Sequence, residues 1–205
     1  AALSATPAGM PAAPPNACHP QSRAEWRAWL KAHHRRGEGV WVVTWKKATG
    51  KPRPEYAEIV EEALCFGWID SKPNKLDHER SMLWLAPRKP KTGWSKPNKL
   101  RVEALIAAKK MTAAGLAVVE AAKRDGSWQA LDAVEALEIP PDLAAALAAT
   151  PPASAHFAAF PRSAKRGILE WIANAKRAET RAKRIEETAA LAARNERANQ
   201  WRPKP

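Results

Sequence analysis

Cysteine is scarce in this chain. Its 2 residues, Cys18 and Cys65, fall in an N-terminal tail and a predicted helix, without a CxxC pair or a Cys/His spacing suited to zinc. A disulfide framework is therefore excluded, and a reducing compartment is expected. No apolar run approaches the roughly 18 residues that a membrane span requires. The N-terminus has neither a basic n-region nor an apolar h-region, so the reading is of a cytoplasmic protein. Glycine is also sparse, at 9 residues. No glycine-rich phosphate loop, GxGxxG, HExxH or GxSxG occurs, which argues against P-loop hydrolysis, Rossmann redox chemistry, zinc proteolysis and ordinary serine hydrolysis. No cofactor is called for. Acid is short as well: 21 Asp+Glu face 34 Lys+Arg, a formal charge of +13. A surface of that sign attracts phosphates, anionic lipid surfaces or acidic proteins, or stays solvated and soluble.

What is present reads as an α+β protein, mainly helical, with a small three-stranded sheet packed on helices and an all-helical C-terminal half. Residues 1–21, with Pro7, Pro11, Pro14, Pro15 and Pro20 among Ala and Ser, have no period and are expected to be a disordered leader. An α+β domain is expected over 22–138. It opens with Ser22 and Glu25 as a capping pair ahead of an apolar stripe at Trp26, Trp29, Leu30 and His33. Val40–Trp45 is a predicted strand. In the helix predicted over 55–66, Tyr56, Ile59, Val60, Ala63 and Leu64 face inward while Glu58, Glu61 and Glu62 face out. Gly67 stops it. Trp68-Ile69-Asp70 and Ser81–Ala86 supply the other two strands, as a long-looped hairpin. After Trp94-Ser95 the pattern is helical, with Leu100, Ala104, Leu105, Ala108 and Met111 as the buried side of one helix and Thr112 capping the next. A helical module over 139–198 follows, in which Ser163 caps one helix and Arg181 and Arg184 line the last, with Arg177 just upstream. Residues 199–205 are a loose tail.

The densest chemistry lies between Tyr56 and Arg101. Arg88, Lys89, Lys91, Lys96, Lys99 and Arg101 cluster around Trp94, several at the start of a predicted helix. Cations there oppose the macrodipole by a few tenths to about 1 kcal/mol each unless an anion sits among them. Free N–H groups with neighbouring Lys and Arg suit a small phosphate-containing anion. Asp70, Arg88, Lys89, Trp94, Ser95 and Lys96 are therefore the candidate ligand-binding residues. The bland alternative is a solvated loop whose cations pair with Asp70, Asp77 or Glu79. Asp70 itself is expected to hold the loop by accepting N–H bonds or by pairing with Arg88. As a general acid or base it lacks a second catalytic group. Cys65 with His78 and Asp70 has the residue types of a triad, but Cys65 sits on a helix with nothing to activate it. No catalytic residue and no metal ligand is assigned, and binding is favoured over catalysis. A nucleic-acid alternative uses Lys99 and Arg101 with the Arg177, Arg181 and Arg184 face. Most of the 10 Trp fall at inward positions and read as core; Trp94 is retained as a ligand contact.

Tyr56 with Glu61–Ser71, then Pro87–Pro90, Trp94-Ser95 and Asn98, then Met111 with Gly115, resembles the bacterial YdeI/OmpD-associated family. Pro151, Phe157, Pro161, Ser163, Trp171, Ala175-Lys176, Glu179–Arg181 and Arg184-Ile185 resemble its helical module. The resemblance spans about residues 22 to 195. It departs at Thr92, where a serine is expected, although a hydroxyl is kept. What it implies is a protein of bacteriocin protection or antimicrobial-peptide tolerance, linked to an outer-membrane porin, with no catalytic residues to carry over. A chain of this charge repels cationic peptides, so the implied role is indirect, through the stress response.

Overall fold

The computed structural model describes residues 11–200. The first ten positions of the expected leader, and Trp201–Pro205 of the expected tail, lie outside the described residues. The chain divides into two compact units, Ala1–Thr92 with Pro97–Trp128, and Gly93–Lys96 with Gln129–Pro205.

In the first unit, Ser22 accepts the N–H of Glu25 at 3.2 Å and opens α1 (Arg23–His33), whose Trp26 and Leu30 are buried. The Glu25 carboxylate takes the N–H of Gln21 at 2.8 Å, so both partners of the expected capping pair satisfy backbone donors at this helix start. β2 (Val40–Trp45) follows the predicted pattern, whereas after α2 (Tyr56–Cys65) β3 (Trp68–Lys75) runs past the expected end at Asp70, so that Pro73 and Asn74 pair in the sheet and do not lie in a long loop. β3 forms an antiparallel hairpin with β4 (Arg80–Pro87).

The sheet has four strands, not three. A two-residue strand, β1 (Ala17–Cys18), pairs in parallel with β2, giving the order β1-β2-β4-β3. It lies in the stretch read from sequence as leader. Two residues show no alternation, and what fixes them is backbone pairing with Trp41 and Val42 and burial of the Cys18 side chain. Arg80 extends this anchoring, because its Nη2 donates to the carbonyl of Pro11 at 2.7 Å.

Gly67 joins α2 to β3 with φ +78, a conformation that favours glycine, and a Cβ there would lie 2.7 Å from Val118 Cγ2. After α3 (Lys96–Ala107), Thr112 caps α4 (Ala113–Asp125) by accepting the Gly115 N–H, and its hydroxyl donates to the carbonyl of Cys65 at 2.6 Å. A Cβ at Gly115 would sit 2.2 Å from that same carbonyl oxygen, so only glycine lets α4 lie on the end of α2. The phase expected for α3 is not the one adopted: Val102 and Leu105 are buried, while Leu100 is exposed.

Among its described residues the second unit is built of helices joined by turns, without a strand: α5 (Asp132–Glu135), α6 (Pro141–Ala148), α7 (Ala153–Ala159), α8 (Arg162–Ala173) and α9 (Ala178–Ala193). Leu143, Leu147, Phe157, Ile168, Ile172 and Ile185 form its core, with Ala189 and Ala192 letting α9 approach α6 and α7 closely. Among the described residues, no helix is long and apolar enough to cross a membrane.

Candidate functional site

Two residues of α2 face opposite to expectation, and both bear on the site. Glu62 is buried, and its carboxylate receives Arg23 Nε at 2.6 Å and Arg27 Nη1 at 2.5 Å. Tyr56 is 52 % exposed, and its hydroxyl donates to Asp70 Oδ2 at 2.7 Å. Among the described residues Asp70 therefore binds neither Arg88 nor a backbone N–H group as expected; its hydrogen-bond partner is a phenol. In a chain with 34 Lys+Arg it makes no ion pair among the described residues. Burial, followed by the hydrogen bond to Asp70 and its charge, pushes the Tyr56 hydroxyl up to about 12. At neutral pH the phenol is a donor, not a base.

Asp70 and Tyr56 border a cleft of about 430 Å³ formed by β2, β3, β4 and the segment leading into α2. Thr44 and Ser81 face each other across paired strands, their hydroxyl oxygens 3.4 Å apart. A bulge shifts the register of β3 between Asp70 and Pro73, which turns that strand's side chains at the cleft edge. Met82 and Leu83 add apolar surface.

The basic loop follows β4. The Arg88 N–H donates to the carbonyl of Gly67 at 2.9 Å, and its Nη2 to the carbonyl of Thr92 at 3.3 Å. Burial pushes its guanidinium down to about 10. Lys89 and Lys91 are exposed, and the Thr92 hydroxyl closes the turn on the carbonyl of Lys89 at 2.8 Å. Asp70, Arg88 and Lys89 lie in the first unit and Trp94, Ser95 and Lys96 in the second. Trp94 is only 2 % exposed, which leaves its ring little surface for a ligand. At Lys96, the first residue of α3, the backbone N–H donates to Glu135 Oε1 at 3.4 Å. The anion among the cations of this helix start is thus a carboxylate of the chain itself. Arg166 beside it holds Glu135 below its ordinary range, against burial and with help from the Lys96 N–H.

The residues of the nucleic-acid alternative are spread out and partly occupied. Lys99 Nζ donates to the carbonyl of Trp128 at 3.2 Å and lies over its ring, and Arg101 bonds Asn98 at 3.0 Å. Arg181 grips Asp142 through two bonds of 2.7 and 2.9 Å. Arg184 donates to the carbonyl of Trp171 and stacks 4.9 Å from its ring centroid. Arg177 is exposed at the N-cap of α9. Sequence reasoning missed Tyr56 as a site residue, because periodicity scores polarity and not the partner that a hydroxyl will find.

Residues 136–195 match the family described as Bacteriocin-protection, YdeI or OmpD-Associated. That stretch of the chain is similar to the YdeI/OmpD-associated domain. Residues 18–118 match a different model, a domain of unknown function (DUF8412). The two models thus divide the chain, and the motifs around Trp68–Asp70 and Pro87–Ser95 fall within the second. No curated protein and no solved structure matches the chain.

Proposed function

We propose that this chain is a non-enzymatic tolerance protein of the bacteriocin-protection type, acting in the cytoplasm and binding a small phosphate-containing anion at the basic loop of its first unit. The observation that carries the reading is the match of residues 136–195 to the YdeI/OmpD-associated family. Cys18 and Cys65 as free thiols suit a reducing compartment. Binding is favoured over catalysis because the Asp70 carboxylate faces a phenol that stays protonated at neutral pH, with no second group to exchange the proton. For the ligand, half-buried Arg88 beside exposed Lys89 and Lys91 gives a cationic turn whose charge is locally concentrated.

Inorganic phosphate is expected to raise the melting temperature, as any ligand of the folded state does, through a stabilisation of about 2.7 kcal/mol at a hundredfold excess over Kd. The double variant Arg88→Ala/Lys89→Ala should abolish that shift. A shift that survives unchanged removes the loop as the site. In cells, loss of the protein should raise sensitivity to an antimicrobial peptide and re-expression should restore tolerance; equal sensitivity with and without it overturns the tolerance role.

Nucleic-acid binding has less support, since Arg181 and Arg184 are committed to Asp142 and Trp171 within their own unit. Any affinity for nucleic acid should therefore show a shallow salt dependence.

A further inference from the structure

The cleft at Asp70 differs from the rest of this cationic molecule. Its lining includes one guanidinium, Arg53, and one carboxylate, Asp70, so its own charges cancel although the chain carries +13. Arg53 shares its charge with Glu55 at 2.8 Å, so an anion in the cleft would find a cation already part-balanced and Asp70 opposite it. Asp70 Oδ2 is held by the Tyr56 hydroxyl, while Oδ1 accepts no hydrogen bond among the described residues. The Asn74 side-chain oxygen accepts the Lys75 N–H at 2.8 Å, and its amide nitrogen makes no hydrogen bond among the described residues. Thr44 and Ser81 offer hydroxyls that donate or accept.

The cleft therefore presents an acceptor, a donor and two amphoteric groups, with half-exposed Tyr56 at one edge and Met82 and Leu83 in the lining. Its volume of about 430 Å³ falls in the range of small-ligand sites. An anion would meet the Asp70 charge, and an organic cation would meet Arg53 and a surrounding positive field. A neutral molecule with several hydroxyls meets neither penalty. Its hydroxyls match amphoteric partners, its C–H face suits an aromatic ring, and one of its O–H groups can donate to Asp70 Oδ1.

We propose that the Tyr56–Asp70 cleft is a binding site for a neutral polyhydroxylated ligand, a sugar ring, separate from the anion surface at Arg88 and Lys89. The Tyr56 hydrogen bond fixes the carboxylate, and the β3 bulge presents the segment between Asp70 and Asn74 to the ligand.

The test is an amide-resolved NMR titration of the full chain with glucose, N-acetylglucosamine and its β1,4-linked dimer, and with glucose 6-phosphate as the charged control. Saturable shifts at Tyr56, Asp70, Asn74 and Ser81 are expected with at least one neutral sugar, at millimolar Kd. The phosphate group of the control should add no affinity at these residues, and its effect at Arg88 and Lys89 is read separately. Asp70→Asn, which keeps the side-chain shape, should weaken sugar binding about tenfold or more, and Ser81→Ala less. Retained dispersion of the spectrum shows that each variant is folded. The assignment is overturned if none of the three neutral sugars shifts the cleft residues, if glucose 6-phosphate binds there more tightly than glucose, or if Asp70→Asn leaves the affinity unchanged. Loss of the phosphate response in Arg88→Ala/Lys89→Ala with sugar binding intact separates the two sites.

Discussion

The two units handle charge in different ways. The first has exposed pairs such as Arg53 with Glu55 but also buries charge: Glu62 lies under α1 between Arg23 and Arg27, and Arg80 lies inside the sheet region, its Nε 2.7 Å from Asp77 Oδ2. Asp77 is further satisfied by the N–H groups of Glu79 and Arg80 at 2.9 and 2.7 Å. The second unit keeps its pairs near water, Arg166 with Glu135 and Glu170, and Arg181 with Asp142. Buried ions are costly unless every lone pair is met, so their removal leaves a stranded partner, whereas surface pairs trade one solvated geometry for another. In the first unit, charge therefore specifies how segments far apart in sequence meet. In the second, apolar packing of Leu143, Phe157, Ile168 and Ile172 carries that task.

The sharpest way to break this contrast is Glu62→Ala. It takes a buried carboxylate from Arg23 and Arg27, which are about a third exposed and keep Glu61 and the Lys110 carbonyl as partners, and should destabilise the first unit by about 2–3 kcal/mol, measured by chemical denaturation. A loss below about 1 kcal/mol would mean that water reaches the Glu62 site and that the two units do not differ in kind. Gly115→Ala tests the adjoining contact. Its Cβ would meet the Cys65 carbonyl at 2.2 Å, so α4 must shift, at about 1–3 kcal/mol, even though alanine has the higher helix propensity.

The pairs of the second unit should show themselves through pH. Arg181 holds Asp142 below its ordinary value of 3.8, against a smaller opposing effect of burial. A carboxyl depressed in the folded state contributes stability that is complete above its unfolded pKa and is lost as pH falls through the folded one. Arg181→Met should therefore cost about 1 kcal/mol or less at pH 7, since the pair is half exposed, and the difference from the parent should fade as pH drops below about 4. A gap that stays constant to acid pH would assign the effect to lost packing of the arginine stem.

Much of the fold is legible in the residues. β2 stands out as a β-branched and aromatic run, Ser22 with Glu25 marks α1, and the family resemblance in the C-terminal module is carried by rare residues in fixed order. What stays hidden depends on partners distant in the chain. Glu62 looks like an outward acid until α1 supplies two arginines, and Tyr56 looks like core until Asp70, 14 residues on, takes its hydroxyl. β1 is too short to carry a period at all. Around α3 the apolar residues Leu100, Val102, Leu105 and Ile106 surround the helix, so periodicity alone does not choose a face. At the site, the cation cluster was visible, while the carboxylate at the start of α3 comes from Glu135, 39 positions away.

The smallest predicted effect gives the finest comparison, between two hydroxyl residues that both read as helix caps. Thr112 in the first unit does cap: it accepts the Gly115 N–H at 3.3 Å and donates to Cys65. Thr112→Ala should cost about 1 kcal/mol, because the Gly115 N–H loses its cap while the Cys65 carbonyl keeps only the Thr112 N–H at 3.1 Å. Ser163 does not cap, since α8 begins one residue earlier at Arg162, behind Pro161, which supplies a fixed φ but no side-chain acceptor. Ser163 is exposed and its hydroxyl makes no hydrogen bond among the described residues. Ser163→Ala should then be neutral within about 0.5 kcal/mol, or slightly stabilising through alanine's higher helix propensity. Thermal melts of the two variants decide the matter. A loss at Ser163 equal to that at Thr112 would place the start of α8 at Ser163 in solution, with Arg162 unwound.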